Sequence, residues 1–357
     1  MERDAEIVVV GAGVAGLAAA RALAREGRDV LLVEQHEVGH AHGSSHGATR
    51  IFRLSYPDPQ WVRLAQAALP LWRGLEAEAG EPLLATAGSL DVGAPEANRA
   101  ALAACGARYE LLDRSAAERR FRLSLPAGRV LLQPDGAVIR ADSAQAALLA
   151  SAREAGARLA ERTHVLALAD EGTGVRLETS AGPLRARAAL VTAGAWAPAL
   201  LAGAGIALAV VATRETVCHF QLPSANELPS VIDWLTPSTA GYRTPRTGQL
   251  SYALPDPTGG LKAGLHHSGP PADPDAAGVP DGETVRWLSD WVAGRFPEAA
   301  PEPAGVTTCL YTSTADEAFV LERRGRIVVG SACSGHGFKF APAIGRTLAA
   351  LAGEAAR

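Results

Sequence analysis

The chain has 357 residues, too many for one ordinary hydrophobic core, so two domains are expected. With 48% hydrophobic and 20% charged residues it reads as globular, and a formal net charge of -4 gives no electrostatic case for nucleic acid or an anionic membrane. The cysteines at 105, 218, 309 and 333 have neither metal-ligand spacing nor that of a disulfide framework, which suits a reducing compartment. Glu2, Arg3, Asp4 and Glu6 interrupt any apolar leader, and the ending Gly353-Glu354-Ala355-Ala356-Arg357 carries no peroxisomal tripeptide, so a cytoplasmic location is expected.

Ile7-Val8-Val9-Val10 has the β-branched character of a buried parallel strand. Gly11-Ala12-Gly13-Val14-Ala15-Gly16 follows at once, then an Ala/Leu-rich helix ending near Gly27 and a second strand, Val30-Leu31-Leu32-Val33, that stops at Glu34. Strand, glycine turn, helix, strand and acid in register form a dinucleotide fingerprint. Gly11 makes the tight turn, Gly13 admits a pyrophosphate to the helix N-terminus, Gly16 lets helix and strand pack, and Glu34 can accept from ribose hydroxyls. The fingerprint alone does not separate FAD from NAD, although Glu34 argues against a 2′-phosphate.

The segment from Gly39 to Arg53 carries His40, His42, His46, Arg50 and Arg53 among glycines. No nearby Cys or carboxylate completes a metal set, so a loop lying against a ligand is expected, with Arg50 and Arg53 aimed at an anion rather than merely solvated. Apolar residues at helical spacing from Trp61 to Leu75 predict a helix with Pro70 inside it, its tryptophans in the core. A helix near Glu96–Ala104, a capping box at Ser115/Glu118, and a helix capped by Asp142 or Ser143 and running to Gly156 follow. His164–Leu168 and Val175–Thr179 read as a hairpin. Residues 188–213 carry no charge over a length that could span a bilayer, but Pro198 and Gly194, Gly203 and Gly205 break the run into strand, turn, short helix and strand.

From about Glu215 to Pro303 proline and alternating patterns predict an antiparallel sheet. In the strand Gly260–His266, Lys262, Gly264 and His266 share a face, either lining a cavity or forming an ordinary polar face. Val285–Phe296 reads as a helix with Trp287 and Trp291 in the core. Cys309-Leu310-Tyr311-Thr312 and the run Ser334-Gly335-His336-Gly337-Phe338-Lys339 follow, the latter between a β-like run, Ile327–Gly330, and a helix from Ala341. Such a turn is expected to offer backbone N–H groups to an electron-rich partner.

Together these motifs resemble the monomeric sarcosine oxidase and N-methyltryptophan oxidase family of FAD-dependent amine oxidases. The resemblance runs in order along nearly the whole chain, and the motifs at 44–53, 260–266, 309–312 and 334–340 carry it. It implies an α/β fold: a Rossmann-like FAD-binding domain (1–84, 143–214 and 304–357) and an antiparallel-sheet substrate domain (85–142 and 215–303), as in glutathione reductase and D-amino-acid oxidase. It implies FAD bound covalently through Cys309 to the 8α-methyl, with His46, Arg50 and Lys262 around the ring and Lys262 near N5. Nucleotide and ring contacts are implied for Gly11, Ala12, Gly13, Ala15, Gly16, Glu34, Gln35, Ser45, Ile51, Val165, Gly194, Trp196, Leu310, Gly335, Gly337, Phe338 and Lys339. Arg53 and Lys339 are expected to clamp the substrate carboxylate, and His266, Tyr311 and Tyr252 to line the pocket near the amine. The implied reaction oxidises a secondary or cyclic α-amino acid to an imine and reduces oxygen to hydrogen peroxide, in a monomeric enzyme with no metal, membrane or nucleic-acid partner. A same-fold dehydrogenase using a quinone or carrier protein, a non-catalytic flavin module and an NAD enzyme are the alternatives.

Thiolate character at Cys309 is expected from Lys262 or the glycine-rich loop. The chain also departs from the pattern. Ala48 stands where an acid is usual, Leu54-Ser55 where His-Ala is common, Cys333 adds a thiol, and 236–248 is a longer segment.

Overall fold

A computed structural model describes residues 3–93, 95–223, 225, 228–234, 250–256 and 259–357. The long segment at 236–248 lies outside the described residues.

Ala5–Val10, Val30–Val33, Arg158–Ala160, Gly182–Val191 and Ile327–Ser331 form the parallel centre of an eight-stranded sheet. Both of its faces are covered, which explains the unbroken apolar run at its start. Ile7 and Val9 pack with Leu17, Leu23 and Leu348 on one face, while Val8 and Val10 pack with Leu177 and Leu201 on the other. Each such fully buried side chain contributes about 1.5–3 kcal/mol of transfer free energy. The helices Val14–Arg25, Ala141–Glu154 and Ala341–Ala355 lie on the first face, and the antiparallel hairpin Val165–Asp170/Val175–Thr179 extends the sheet at its edge.

A second eight-stranded sheet is antiparallel except where Ser230–Asp233 runs parallel to Ser89–Val92, so it is mixed rather than purely antiparallel. Gly282–Arg295 packs on it through Leu288, Trp291 and Val292, and Asp281 caps that helix by accepting from Thr284 N at 2.8 Å. A three-stranded sheet of Thr49–Phe52, Ala137–Arg140 and Leu84–Thr86 lies apart from both.

Sheet membership departs from the expected division in several places: Val211–Phe220 straddles its 214/215 boundary, and the three-stranded sheet joins strands from both parts. Pro303–Ser313, expected with the nucleotide-binding part, pairs along Val211–Phe220 in the second sheet. That register is a long-range choice that no local pattern encodes.

Two caps also differ. Glu118 closes no capping box, because Asp113 precedes the helix Arg114–Phe121 and the Glu118 carboxylate accepts from Arg114 Nε and Leu125 N, both at 2.9 Å. The helix Ala141–Glu154 begins ahead of Asp142, since Ala141 N donates to Ala48 O at 2.8 Å and needs no side-chain cap. The helix Pro59–Ala79 runs through Pro70, starting from Asp58, whose side chain accepts from Gln60 N. No described helix is long and apolar enough to cross a membrane.

Candidate active site

One cavity of about 1110 Å³ runs from the glycine turn to the mixed sheet. Every residue expected at the cofactor or substrate lines it except Gly16. Gly16 lies behind the turn, where a Cβ would fall 1.9 Å from Gly11 O, so close packing excludes a side chain there. Gly11 has φ +96 and would bring a Cβ to 2.7 Å from Thr192 O. Glu34 is buried and accepts from Ala12 N at 2.7 Å and His36 N at 3.0 Å. Burial raises its pKa, but hydrogen bonds from His40 and these amides outweigh that and hold the carboxylate below its usual range. Ser45 Oγ accepts from Val14 N at 3.1 Å, tying the loop to the helix N-terminus. Ala15, Gln35, Val165, Gly194 and Trp196 line the same end.

The loop at 44–53 supplies the middle of the cavity. The absent acid at Ala48 is replaced by carbonyls: Arg50 donates to Thr49 O and Ser44 O at 2.8 Å and to His46 O at 2.6 Å. Burial, then the charges of Arg50 and Lys262, lowers His46 to about 4 and leaves it neutral. Ile51 lines this wall, and Phe338 stacks on Trp72 with its ring 5.5 Å from the Arg50 guanidinium carbon.

Lys262 donates to Thr49 O at 3.1 Å, and burial followed by repulsion from Arg50 lowers its pKa to about 7. Cys309 lies opposite Glu215 in the strand register, with Leu310 beside it. Its thiol is pushed up by burial, against the pull of Arg50 and Lys262, so the expected thiolate character is not a property of this environment alone. The Ser334–Lys339 turn also differs: His336 N and Gly337 N both donate to Cys333 O and are not offered to a ligand.

At the far end Tyr252 stands across from Gly264, whose Cβ would come within 2.4 Å of the tyrosine hydroxyl oxygen. The hydroxyls of Tyr252 and Tyr311 are hydrogen-bonded, and Tyr311 Oη is 3.4 Å from His266 Nδ1. Gly335 makes room for these rings; a Cβ there would meet Tyr311 at 2.4 Å and His266 at 2.6 Å. His266 is held neutral, its pKa well below the usual value through burial and then the positive surroundings.

Arg53, 9% exposed, and Lys339, 6% exposed, converge on Tyr56. The guanidinium carbon is 4.0 Å from the ring centroid and the ammonium nitrogen 5.7 Å. Lys339 donates to His336 O at 2.8 Å and forms no ion pair among the described residues. Burial, then Arg53, drives its pKa well below that of an ordinary lysine. Arg53 donates to Ser55 O, and Ser55 Oγ donates to the buried Asp91, which also accepts from Trp234 Nε1 at 2.9 Å.

Tyr56, Asp91 and Trp234 were not singled out from the sequence, and neither were His267 and Glu317. The fragment Arg53-Leu54-Ser55-Tyr56 held the nearest signal, an aromatic beside a candidate anion-binding arginine. Trp61, expected in the core, joins Tyr56, Phe319, His336 and Phe340 in an aromatic cluster and lines the cavity.

These residues fit a dinucleotide with a flat redox ring. The turn is packed too closely at Gly11 and Gly16 for side chains, and the chamber beyond brings Arg50, Arg53, Lys262 and Lys339 together. The model of the FAD dependent oxidoreductase (DAO) family matches residues 6–351. Human peroxisomal sarcosine oxidase is 32% identical over 96% of this chain and 90% of its own length. N-methyl-L-tryptophan oxidase of Salmonella arizonae is 29% identical over 98% and 95%. Among solved structures, a variant of NikD in its open form, described as an unusual amino acid oxidase essential for nikkomycin biosynthesis, superposes with a TM-score of 0.88. It shares 30% identity over 98% of this chain and 94% of its own. With a family model and full-length relatives matching over the same residues that build the cavity, the chain belongs to the FAD dependent oxidoreductase family.

Proposed function

We propose that this protein oxidises a secondary α-amino acid, N-methylated or cyclic, to its imine, using FAD and passing the electrons to oxygen with release of hydrogen peroxide. One observation carries the choice of substrate: two buried cations, Arg53 and Lys339, meet over one tyrosine ring at the end of a cavity whose other end is the glycine turn. Buried cations require an anion, and a substrate carboxylate provides it. The relatives include oxidases named for sarcosine and N-methyl-L-tryptophan, which are N-methyl amino acids.

Held by the glycine turn, Glu34 and Ser45 at one end and by His46, Arg50 and Cys309 at the other, FAD would supply acceptance of a hydride equivalent from the carbon next to nitrogen and return of the electrons to oxygen. The chain's own residues do the rest. Arg53 and Lys339 orient the substrate by its carboxylate, converting binding energy into alignment. The same cations, beside a neutral His266, disfavour an ammonium and so favour the neutral amine that can be oxidised. Lys262 supplies positive charge where oxygen becomes an anion. The expected division at 1–84, 143–214 and 304–357 against 85–142 and 215–303 is retained as a proposal, with the strand Pro303–Ser313 moved to the substrate side. A cytoplasmic location and a monomeric state are part of the same reading.

Testing the activity requires a screen of N-methyl, cyclic and aromatic amino acids for peroxide release, each beside its decarboxylated amine. Oxidation of the amino acids but not of the amines is the expected result; peroxide from neither overturns the reading. The attachment of flavin has its own test. Cys309 Sγ lies 3.8 Å from Ser44 O, in the wall shared with Arg50 and Lys262. After acid denaturation and centrifugation, yellow colour should stay in the wild-type pellet and move to the supernatant in Cys309→Ala. Colour leaving the wild-type protein rules out a covalent bond; colour retained by Cys309→Ala moves the bond to Cys333.

A further inference from the structure

His266, His267 and Glu317 each offer one donor atom, and these atoms lie within 4.8 Å of one another. His267 Nε2 is 3.7 Å from Glu317 Oε1, too long for a hydrogen bond, and this buried nitrogen has no hydrogen-bond partner among the described residues. The two imidazoles lie close and tilted, 4.1 Å between ring centroids with an interplanar angle of 59°. Two of the three residues have strained backbones: His267 has φ 54 and Glu317 φ 60, in the left-handed region that non-glycine residues adopt at a cost of order 1 kcal/mol or more each. Ser334, with φ 40, adjoins the same cavity wall. The Glu317 segment is tied down further by its carbonyl, 3.1 Å from His336 Nε2.

We infer that His266, His267 and Glu317 form a binding site for a divalent zinc-class cation on the wall of the cavity, and that a cation bound there competes with the amine. Two imidazole nitrogens and one carboxylate oxygen are a zinc-type donor set, whereas magnesium and calcium take oxygen ligands. Ligand atoms about 2.0–2.2 Å from a tetrahedral ion stand roughly 3.4 Å apart. The His267–Glu317 pair is already near that spacing, and His266 closes the remainder by side-chain rotation. His266 and Glu317 line the cavity, so an ion they hold would sit at its wall. His266 is the shared element, because a ring that coordinates a cation is withdrawn from the amine.

The existence of the site stands on its geometry alone; the competition rests on the function proposed above. Holoenzyme stripped with chelator and dialysed against Zn²⁺ should retain one ion per chain, and should retain none against Mg²⁺ under the same conditions. His267→Asn, which tolerates the left-handed backbone, and Glu317→Gln, which keeps size, should each weaken Zn²⁺ retention at least tenfold. Both variants should keep the wild-type flavin spectrum, and either one that folds suffices for the test. Kinetically, Zn²⁺ should raise the KM for the amino acid without lowering kcat, reversibly on chelation, and the variants should resist it. Zn²⁺ uptake unchanged in a folded variant overturns the site and directs attention to the thiols, and no uptake by wild type overturns it outright. Uptake that depends on His267 in a protein that oxidises no amine leaves the site standing and removes the function instead. Noncompetitive loss of activity overturns the competition.

Discussion

Lys262→Met should slow reoxidation of the reduced enzyme by oxygen about 10²–10³-fold, while anaerobic reduction by substrate changes by less than about tenfold. The asymmetry follows from where charge develops. Oxygen is neutral when it arrives and anionic after the first electron, so a fixed cation beside it lowers that barrier selectively. Amine oxidation has no comparable charge at this position, and methionine keeps most of the lysine's volume and flexibility. Lys262 is held for this purpose by a donor bond to Thr49 O at 3.1 Å, on a strand whose next inward residue is a glycine beneath Tyr252. Burial has lowered its pKa to about 7, so in the absence of an anionic neighbour the charge is present below that pH and lost above it. The oxygen advantage of wild type over Lys262→Met should therefore shrink as pH rises. An anion bound nearby moves the midpoint upward but not the sign. Stopped-flow traces that show equal losses in the two half-reactions would make Lys262 a packing residue.

Lys262 was legible in the sequence, and the reason separates the readable parts of this site from the others. Strand alternation is local, so Lys262 and Gly264 could be assigned one face without knowing their neighbours. The glycine turn was legible for a related reason: Gly11 answers to a backbone angle and Gly16 to contact with Gly11 five residues earlier. What failed depends on distant partners. The start of the helix Ala141–Glu154 is fixed by Ala48 O, nearly a hundred residues away, so the local cap candidates Asp142 and Ser143 misled. The pairing of Pro303–Ser313 with Val211–Phe220, about ninety residues earlier, likewise has no local sign. Tyr56 carries no local sign of its role, since only folding brings Arg53 and Lys339 to its ring. Asp91, in the middle of a short buried strand, gives no sequence sign that it reaches Arg53 through Ser55. The charge on Cys309 was misjudged for a similar reason, because burial outweighs the nearby cations and burial is a tertiary quantity.

Arg53→Met and Lys339→Met should each cost about 2–5 kcal/mol in kcat/KM for the amino acid, roughly 30-fold to several thousand-fold, and far less for the decarboxylated amine. Arg presents a planar fork of donors and Lys a point charge, so the pair can hold a carboxylate from two directions. The larger share of the loss should appear in KM, because the carboxylate keeps its charge through the reaction; a smaller share should appear in kcat through lost alignment. Lys339 adds a signature that a packing role would not produce. Burial first, then Arg53, has lowered its pKa well below the ordinary lysine value, while no acid among the described residues forms an ion pair with it. An arriving carboxylate favours the ammonium, so the folded-state pKa rises on binding and a proton is taken up wherever free Lys339 is partly neutral. Small carboxylates that lack an amine should therefore bind wild type more tightly as pH falls. Calorimetric titrations in buffers of different ionisation heat should show proton uptake that Lys339→Met abolishes. Arg53→Met should weaken the same inhibitors yet keep the uptake, since Lys339 is still there to take the proton. Equal losses on amino acid and amine in both variants, or inhibitor binding without proton uptake at any pH, would remove the carboxylate from this end of the cavity and leave Arg53 and Lys339 to the cofactor.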